Sequence, residues 1–326
     1  MRQFIINNFL LIVLMLAVVF AFSMKATIFQ KEPDTTAKPA ETAPTVFTNY
    51  WFTNNAELNS YRLQQAKSGA LHTGEATLIF QTENFYPARQ VKADQPEGTI
   101  PVLKTSLFKT FATGLYEYAL STSVFTPIEK SGSRSALFPN TLKVSMAGQE
   151  WDGHYYQQIN YRDNAYQVIG KSFLEKEVDE AYTLEKTRLE DELWNQIRIN
   201  PDKLPTGETR LIAGTMTARL RHKTVGVLPA KTTLANYEGV LFPGKYLKSY
   251  TIEYPTDDRT LIIIFERDFP HKIVGWEETY DTKDNLLTSR AVLQKTIQTD
   301  YWNHKTPADS TLRKGLLHET PVQSGR

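Results

Sequence analysis

Cysteine is absent from the 326 residues, which excludes a cysteine nucleophile, thiolate metal sites, disulfides and acylation of an N-terminal cysteine. Neither sign of charge is in excess, with 37 Lys+Arg against 36 Asp+Glu. That balance gives no electrostatic pull onto nucleic acid and none of the charge surplus of a disordered chain, so no nucleic-acid partner is expected. The common catalytic signatures are missing too. There is no G-x-S-x-G elbow, no G-x-x-x-x-G-K-[ST] phosphate loop and no G-x-G-x-x-G after a strand, so the usual marks of serine hydrolases, P-loop enzymes and dinucleotide oxidoreductases are lacking. No cofactor is called for. The six histidines, at 72, 154, 222, 271, 304 and 318, never fall at H-E-x-x-H or H-x-H spacing, so no metal site is expected. What is present is a globular composition, 41% hydrophobic and 12% aromatic, enough for a large core.

The N-terminus reads as an address. Arg2 and the free amine precede an uninterrupted apolar run from Phe9 to Phe22, 14 residues long. Such a run is shorter than a usual spanning helix, and Ala21-Phe22-Ser23 offers small residues to a signal peptidase. Residues 1–23 are therefore expected to be a signal peptide cleaved after Ser23. The alternative is an inner-membrane anchor over residues 5–24, with Met24, Ala26, Ile28 and Phe29 extending the apolar span. Either way the body is placed outside the cytoplasm, in the periplasm. Residues 24–46, rich in Pro, Thr and Ala, cannot repay their ordering entropy by burial and read as an extended linker.

Beyond it the texture is β. Short β-branched and aromatic runs alternate with Gly, Asn, Asp and Pro at spacings near ten residues, the pattern of an antiparallel architecture. Hairpins are expected around Ser68-Gly69, Thr113-Gly114 and Asp152-Gly153. Further strands are read at Tyr166–Phe173, Gly214–His222, Tyr246–Tyr254, Thr260–Phe269, Ile273–Tyr280 and Leu287–Thr299. The run Leu261-Ile262-Ile263-Ile264-Phe265 requires a strand covered on both faces, because five apolar side chains in a row cannot all meet water. One helix is expected: Thr187 and Glu190 have capping-box spacing, Glu190-Asp191-Glu192 load the first turn, and Leu189, Leu193 and Ile197 form one stripe before Asn200-Pro201. The fold class is thus mainly β, a large curved antiparallel sheet or open barrel with one amphipathic helix lying on it or plugging one end. Residues 47–300 are expected to form a single domain and 301–326 an irregular or disordered tail.

Two acidic clusters are the catalytic candidates. In an extended strand Glu150, Asp152 and His154 would share a face and could offer two carboxylates and an imidazole to a metal, whereas a turn at Asp152-Gly153 breaks that face. Glu277 and Glu278, adjacent on a strand, point to opposite faces and cannot act together as acid and base. The aromatic residues Tyr116, Tyr118, Trp151, Tyr156 and Trp276 are the candidate ligand contacts, since Tyr and Trp present an apolar body with a polar tip.

Through Tyr61-Arg62-Leu63, Gly74-Glu75-Ala76-Thr77-Leu78 and Phe269-Pro270-His271-Lys272-Ile273-Val274-Gly275-Trp276-Glu277-Glu278 the chain resembles secreted β-rich envelope proteins of unknown function from Gram-negative bacteria. Through Gly114-Leu115-Tyr116-Glu117-Tyr118 and Ser123-Val124-Phe125-Thr126-Pro127 it is similar to a group labelled "septum formation inhibitor Maf". Maf nucleotide pyrophosphatases are cytoplasmic α/β proteins with a Ser- and Arg-rich motif near their start. Here Ser131-Gly132-Ser133-Arg134 lies in mid-chain, so no Maf catalytic residue or substrate is carried over. The expected function is a non-catalytic envelope protein that binds an amphipathic ligand, lipid or glycan, or serves a structural role. The alternatives are a hydrolase of envelope polymers and an assembly scaffold for an envelope protein partner.

Overall fold

The computed structural model describes residues 45–128, 141–177, 179–283 and 285–316, all within one compact unit. The expected signal peptide or anchor, nearly all of the expected linker and residues 131–134 lie outside the described residues. The chain enters through a short helix, α1 (Thr45–Trp51), and continues into β1 (Ala56–Lys67), β2 (Ala70–Tyr86), β3 (Val91–Lys92), β4 (Ile100–Thr113), β5 (Tyr116–Pro127), β6 (Lys143–Glu150), β7 (Gly153–Arg162), β8 (Ala165–Lys171), β9 (Glu180–Glu185) and β10 (Arg188–Leu189). Helix α2 (Glu190–Ile199), β11 (Gly207–Ile212) and helix α3 (Thr215–Leu220) follow. Then come β12 (Val227–Asn236), β13 (Leu247–Tyr254), β14 (Arg259–Glu266), β15 (Ile273–Thr282), β16 (Asn285–Thr299) and helix α4 (Ser310–Leu316).

The strands form one 16-stranded sheet in the order β10-β11-β12-β13-β14-β15-β16-β1-β2-β4-β5-β6-β7-β8-β9, with β3 on β2. Every ladder is antiparallel except the two-residue pairing of β10 with β11. The terminal strands β9 and β10 are neighbours in the chain, yet no ladder joins them, so the sheet is not closed into a barrel. Side chains bridge the gap: Arg210 of β11 pairs with Glu185 of β9 at 2.6 Å, and the Thr187 hydroxyl donates to the Arg210 carbonyl.

Alternation decides what faces inward. Tyr61, Leu63 and Gln65 of β1, Ala76, Leu78 and Phe80 of β2, Val144 and Met146 of β6, and Tyr250, Ile252 and Tyr254 of β13 are buried toward one side. Helix α2 fills that side. Its Leu193 and Ile197 enter a core with Tyr61, Leu63, Phe80, Tyr250, Ile263 and Trp276, residues drawn from strands far apart in the order. Only a sheet curled around the helix can bring those strands to it. Trp194 meets the Trp276 ring edge-on, at 5.2 Å between ring centroids. Burying two such rings and the leucine stripe contributes roughly 1.5–3 kcal/mol per side chain. The run Leu261–Phe265 is covered on both faces: Leu261, Ile263 and Phe265 sit in this core, while Ile264 packs under Phe242 of the 237–246 segment. Gly275 makes room for that cover, because a Cβ there would lie 2.3 Å from Phe242.

Three expectations change. Gly214–His222, read as a strand, is mostly helix α3. Met216, Ala218 and Leu220 alternate with Thr215, Thr217 and Arg219, a period of two, but the helix is buried on all sides, so no one-sided stripe marks it. The capping box is not formed: Thr187 is spent on the seam, Leu189 stands at the helix N-cap without a side-chain cap, and Glu190 is drawn inward by an arginine. The segment from Tyr301, expected to be irregular or disordered, forms 3-10 turns at Tyr301–Asn303 and Pro307–Asp309 and then α4. Leu316 of α4 packs against Leu58 and Ala56. Among the described residues no helix is long and apolar enough to cross a membrane.

Candidate functional site

Antiparallel order places the turns β1/β2, β4/β5, β6/β7, β13/β14 and β15/β16 at one end of the sheet. The C-terminus of α3 emerges at the same end, where the Lys67 ammonium donates to the Leu220 carbonyl at 2.7 Å. The hairpin of β6 and β7 turns through Trp151-Asp152, with Glu150 facing Gly153 across the ladder. The turn breaks the shared face: Glu150 continues the inward set of Val144 and Met146, whereas His154 is exposed on the outer face. Glu150, Asp152 and His154 are therefore not brought together.

Glu150 and Asp152 do meet, through a third residue. The Tyr116 hydroxyl lies 3.2 Å from a carboxylate oxygen of Asp152 and 3.4 Å from one of Glu150. The Trp151 ring stands 6.0 Å from the Tyr116 ring, tilted by 35°, and Tyr118 is 5.0 Å beyond Tyr116. Trp151 is 62% exposed, an unusual exposure for the largest apolar side chain. Beside this shelf runs a groove of about 450 Å³ whose lining includes Glu75, Glu117, Gln149 and Glu150. Tyr118 is held from behind, stacked on Phe111 at 4.8 Å with the Lys67 ammonium over its ring.

Behind the shelf, on the inner side, α3 delivers Arg219. Its guanidinium pairs with Glu150 and with Glu177, the latter at 2.6 Å, and lies over the Tyr155 ring at 4.7 Å. Glu177 in turn meets Nδ1 of His222 at 2.6 Å, and Nε2 of His222 is 3.2 Å from Lys67. Burial pushes the Lys67 ammonium below its usual range. This chain of charges fixes Glu150 from below through one oxygen, and its other oxygen meets the Tyr116 hydroxyl.

The other candidates lie elsewhere. Tyr156 is on the outer face, its hydroxyl donating to Gln158 at 2.6 Å. Trp276 is buried between Tyr61 and Trp194 and meets no solvent. Glu277 is on the outer face with Arg290, at 2.7 Å. Glu278 is buried in the interior, where Arg259 bridges it to Glu190 with N–O distances near 2.6 Å and the Thr217 hydroxyl donates to it at 2.6 Å. Burial alone would raise the Glu278 carboxyl, but the Arg259 and Lys109 cations outweigh it and hold it below the usual range. The Tyr254 hydroxyl completes the cluster at Glu190. A second buried pair, Arg198 with Glu57, is bidentate at 2.6 Å for both contacts. These interior ions are bonded to one another and tie the filling helices to the wall. Among the described residues no group of His, Asp and Glu is set to hold a metal ion.

Sequence reasoning missed Lys67, Glu177, Arg219 and His222 because they come from three separate segments. A signal of the interior charges was there at Lys109, which falls on the inward alternation with Phe111, whereas Arg219 shares the polar set of Thr215 and Thr217 and gave none. A charge on a buried face announces a partner. No family model, no curated protein and no solved structure matches the chain.

Proposed function

We propose that the protein is a non-catalytic binding module of the cell envelope that takes a glycan on the Tyr116–Trp151 shelf. The observation that carries this reading is an exposed indole beside a tyrosine whose hydroxyl is held by two carboxylates. A pyranose ring has an apolar C–H face and a rim of hydroxyls. The first covers aromatic rings and the second donates to carboxylate oxygens. Glu150 and Asp152 supply acceptors at the edge of the rings. The interior supports the same reading, since α2 and α3 occupy the concave side that a carrier would leave for its cargo. Carboxylates held in hydrogen bonds and ion pairs at the shelf suit recognition.

Partial burial of two aromatic rings and a few charge-assisted hydrogen bonds correspond to a dissociation constant on the order of 0.1–1 mM for a short oligosaccharide. Titration calorimetry with the N-acetylglucosamine trimer and with soluble peptidoglycan fragments tests this. Binding is expected for the intact chain, with a loss of about tenfold or more for Trp151→Ala, which removes an exposed ring and leaves the fold intact. No binding of either ligand, or equal binding by Trp151→Ala, refutes the shelf. Fusing residues 1–46 to a reporter active only outside the cytosol tests the address separately, and an inactive, cytosolic reporter refutes it.

A further inference from the structure

We infer that a second site on the outer face, between the sheet and the C-terminal strap, binds one long-chain fatty acid with its carboxylate on Arg313. The 3-10 turns Tyr301–Asn303 and Pro307–Asp309 and helix α4 cross the outer face of β16, β1, β2 and β4, enclosing a groove of about 450 Å³. That volume falls in the range of small-molecule sites, roughly 300–1,000 Å³, and suits a single alkyl chain rather than the paired chains of a phospholipid.

The floor sets Leu58, Phe108 and Ile297 among Glu75, Thr77, Thr110 and Thr299. Leu58 of β1 lies opposite Ile297 of β16, and Phe108 of β4 lies opposite Thr77 of β2, so outward positions of four strands line the groove. Leu312 and Leu316 of α4 form the roof. Leu58 and Leu316 bury each other, but Phe108 and Leu312 each remain 43% exposed, apolar surface that the strap leaves uncovered. An alkyl chain laid there would remove that surface from water, at roughly 25 cal/mol per Å².

The charges on the lining select the head group. His304 is clamped between Asp300 at 3.0 Å and Asp309 at 3.1 Å. Glu75 faces Arg62 directly across the β1–β2 ladder. Arg313 is the lining cation with no acidic partner among the described residues. A guanidinium unpaired among the described residues, on the rim of a groove lined by Leu58, Phe108, Ile297 and Leu312, matches the carboxylate of a single alkyl chain in the bidentate geometry that arginine and carboxylate share.

The test is native mass spectrometry and displacement of a fluorescent fatty acid by palmitate, using the full chain. One palmitate per chain is expected, with affinity at least about tenfold weaker for Arg313→Glu and for the neutral alcohol of the same length. Phe108→Glu should abolish binding, and Trp151→Ala should leave it unchanged, which separates this site from the glycan shelf. Circular dichroism checks that each variant is folded. The inference is overturned if the folded full chain takes no palmitate, or if Arg313→Glu and the alcohol bind as well as the parent pair. It is also overturned if a two-chain phospholipid is preferred, or if palmitate binds only after residues 317–326 are removed.

Discussion

Arg259 shows how single side chains hold this molecule together. It is buried with Glu190 and Glu278, and its loss would leave two carboxylates in the interior without a cation. Removing one member of a buried ion pair costs about 3–5 kcal/mol, so Arg259→Ala should lower the urea midpoint strongly. The neighbouring Asp191 behaves oppositely to a salt-bridged acid. Burial, and next the Glu190 charge, push its carboxyl up to about 7, although it accepts the Thr215 amide hydrogen at 3.1 Å. Its folded pKa therefore exceeds its unfolded value, near 4. The native state binds the extra proton between those two values, and stability falls as pH rises through that window, flattening above about 7. Asp191→Asn, neutral at all pH, should lack this component. Thermal melts of both proteins from pH 4.5 to 8 should diverge progressively as the wild type loses stability. Parallel curves would show that Asp191 is ionised throughout.

At the level of elements, the two interior helices were unequally legible. The stripe Leu189, Leu193 and Ile197 announced α2 because an apolar row at four-residue intervals has no other simple reading, and all three side chains are buried. Its N-terminus was misread, since a Thr–Glu spacing indicates a capping box only when no stronger partner competes. Thr187→Ala is accordingly expected to cost under about 0.5 kcal/mol, less than the 0.5–2 kcal/mol of a true N-cap, as a denaturant midpoint would show. Helix α3 was illegible as a helix because its six residues are enclosed on every side, with Thr217 and Arg219 satisfied by Glu278 and Glu150. Periodicity reports contrast between a wet and a dry side, and α3 has none. The hairpins were the easiest to read: Ser68 and Gly69 both take positive φ, 54° and 84°, as the tight β1/β2 turn demands. The shelf was half legible. Tyr116, Tyr118, Trp151, Glu150 and Asp152 were singled out, but what joins them is the register of three adjacent strands, which spacing along the chain does not encode.

Taken whole, the molecule is a curled sheet whose two terminal strands meet without pairing and whose concave side is filled by its own chain. Filling from within explains why the interior is both apolar and ionic, with Leu193 and Ile197 supplying burial while Arg198, Arg219 and Arg259 fasten the filling to the wall. The two sites proposed above lie outside this filling, at the hairpin tips and under the C-terminal strap. The absence of cysteine gives this claim a direct probe. A single Leu193→Cys substitution puts the sole thiol of the chain on the inner helix, and Trp151→Cys puts one on the shelf. Labelling with a water-soluble thiol reagent under native conditions should modify the Trp151→Cys protein rapidly and leave the Leu193→Cys protein unmodified until it is unfolded. Rapid labelling of the folded Leu193→Cys protein would show an open, solvent-filled interior and contradict the account.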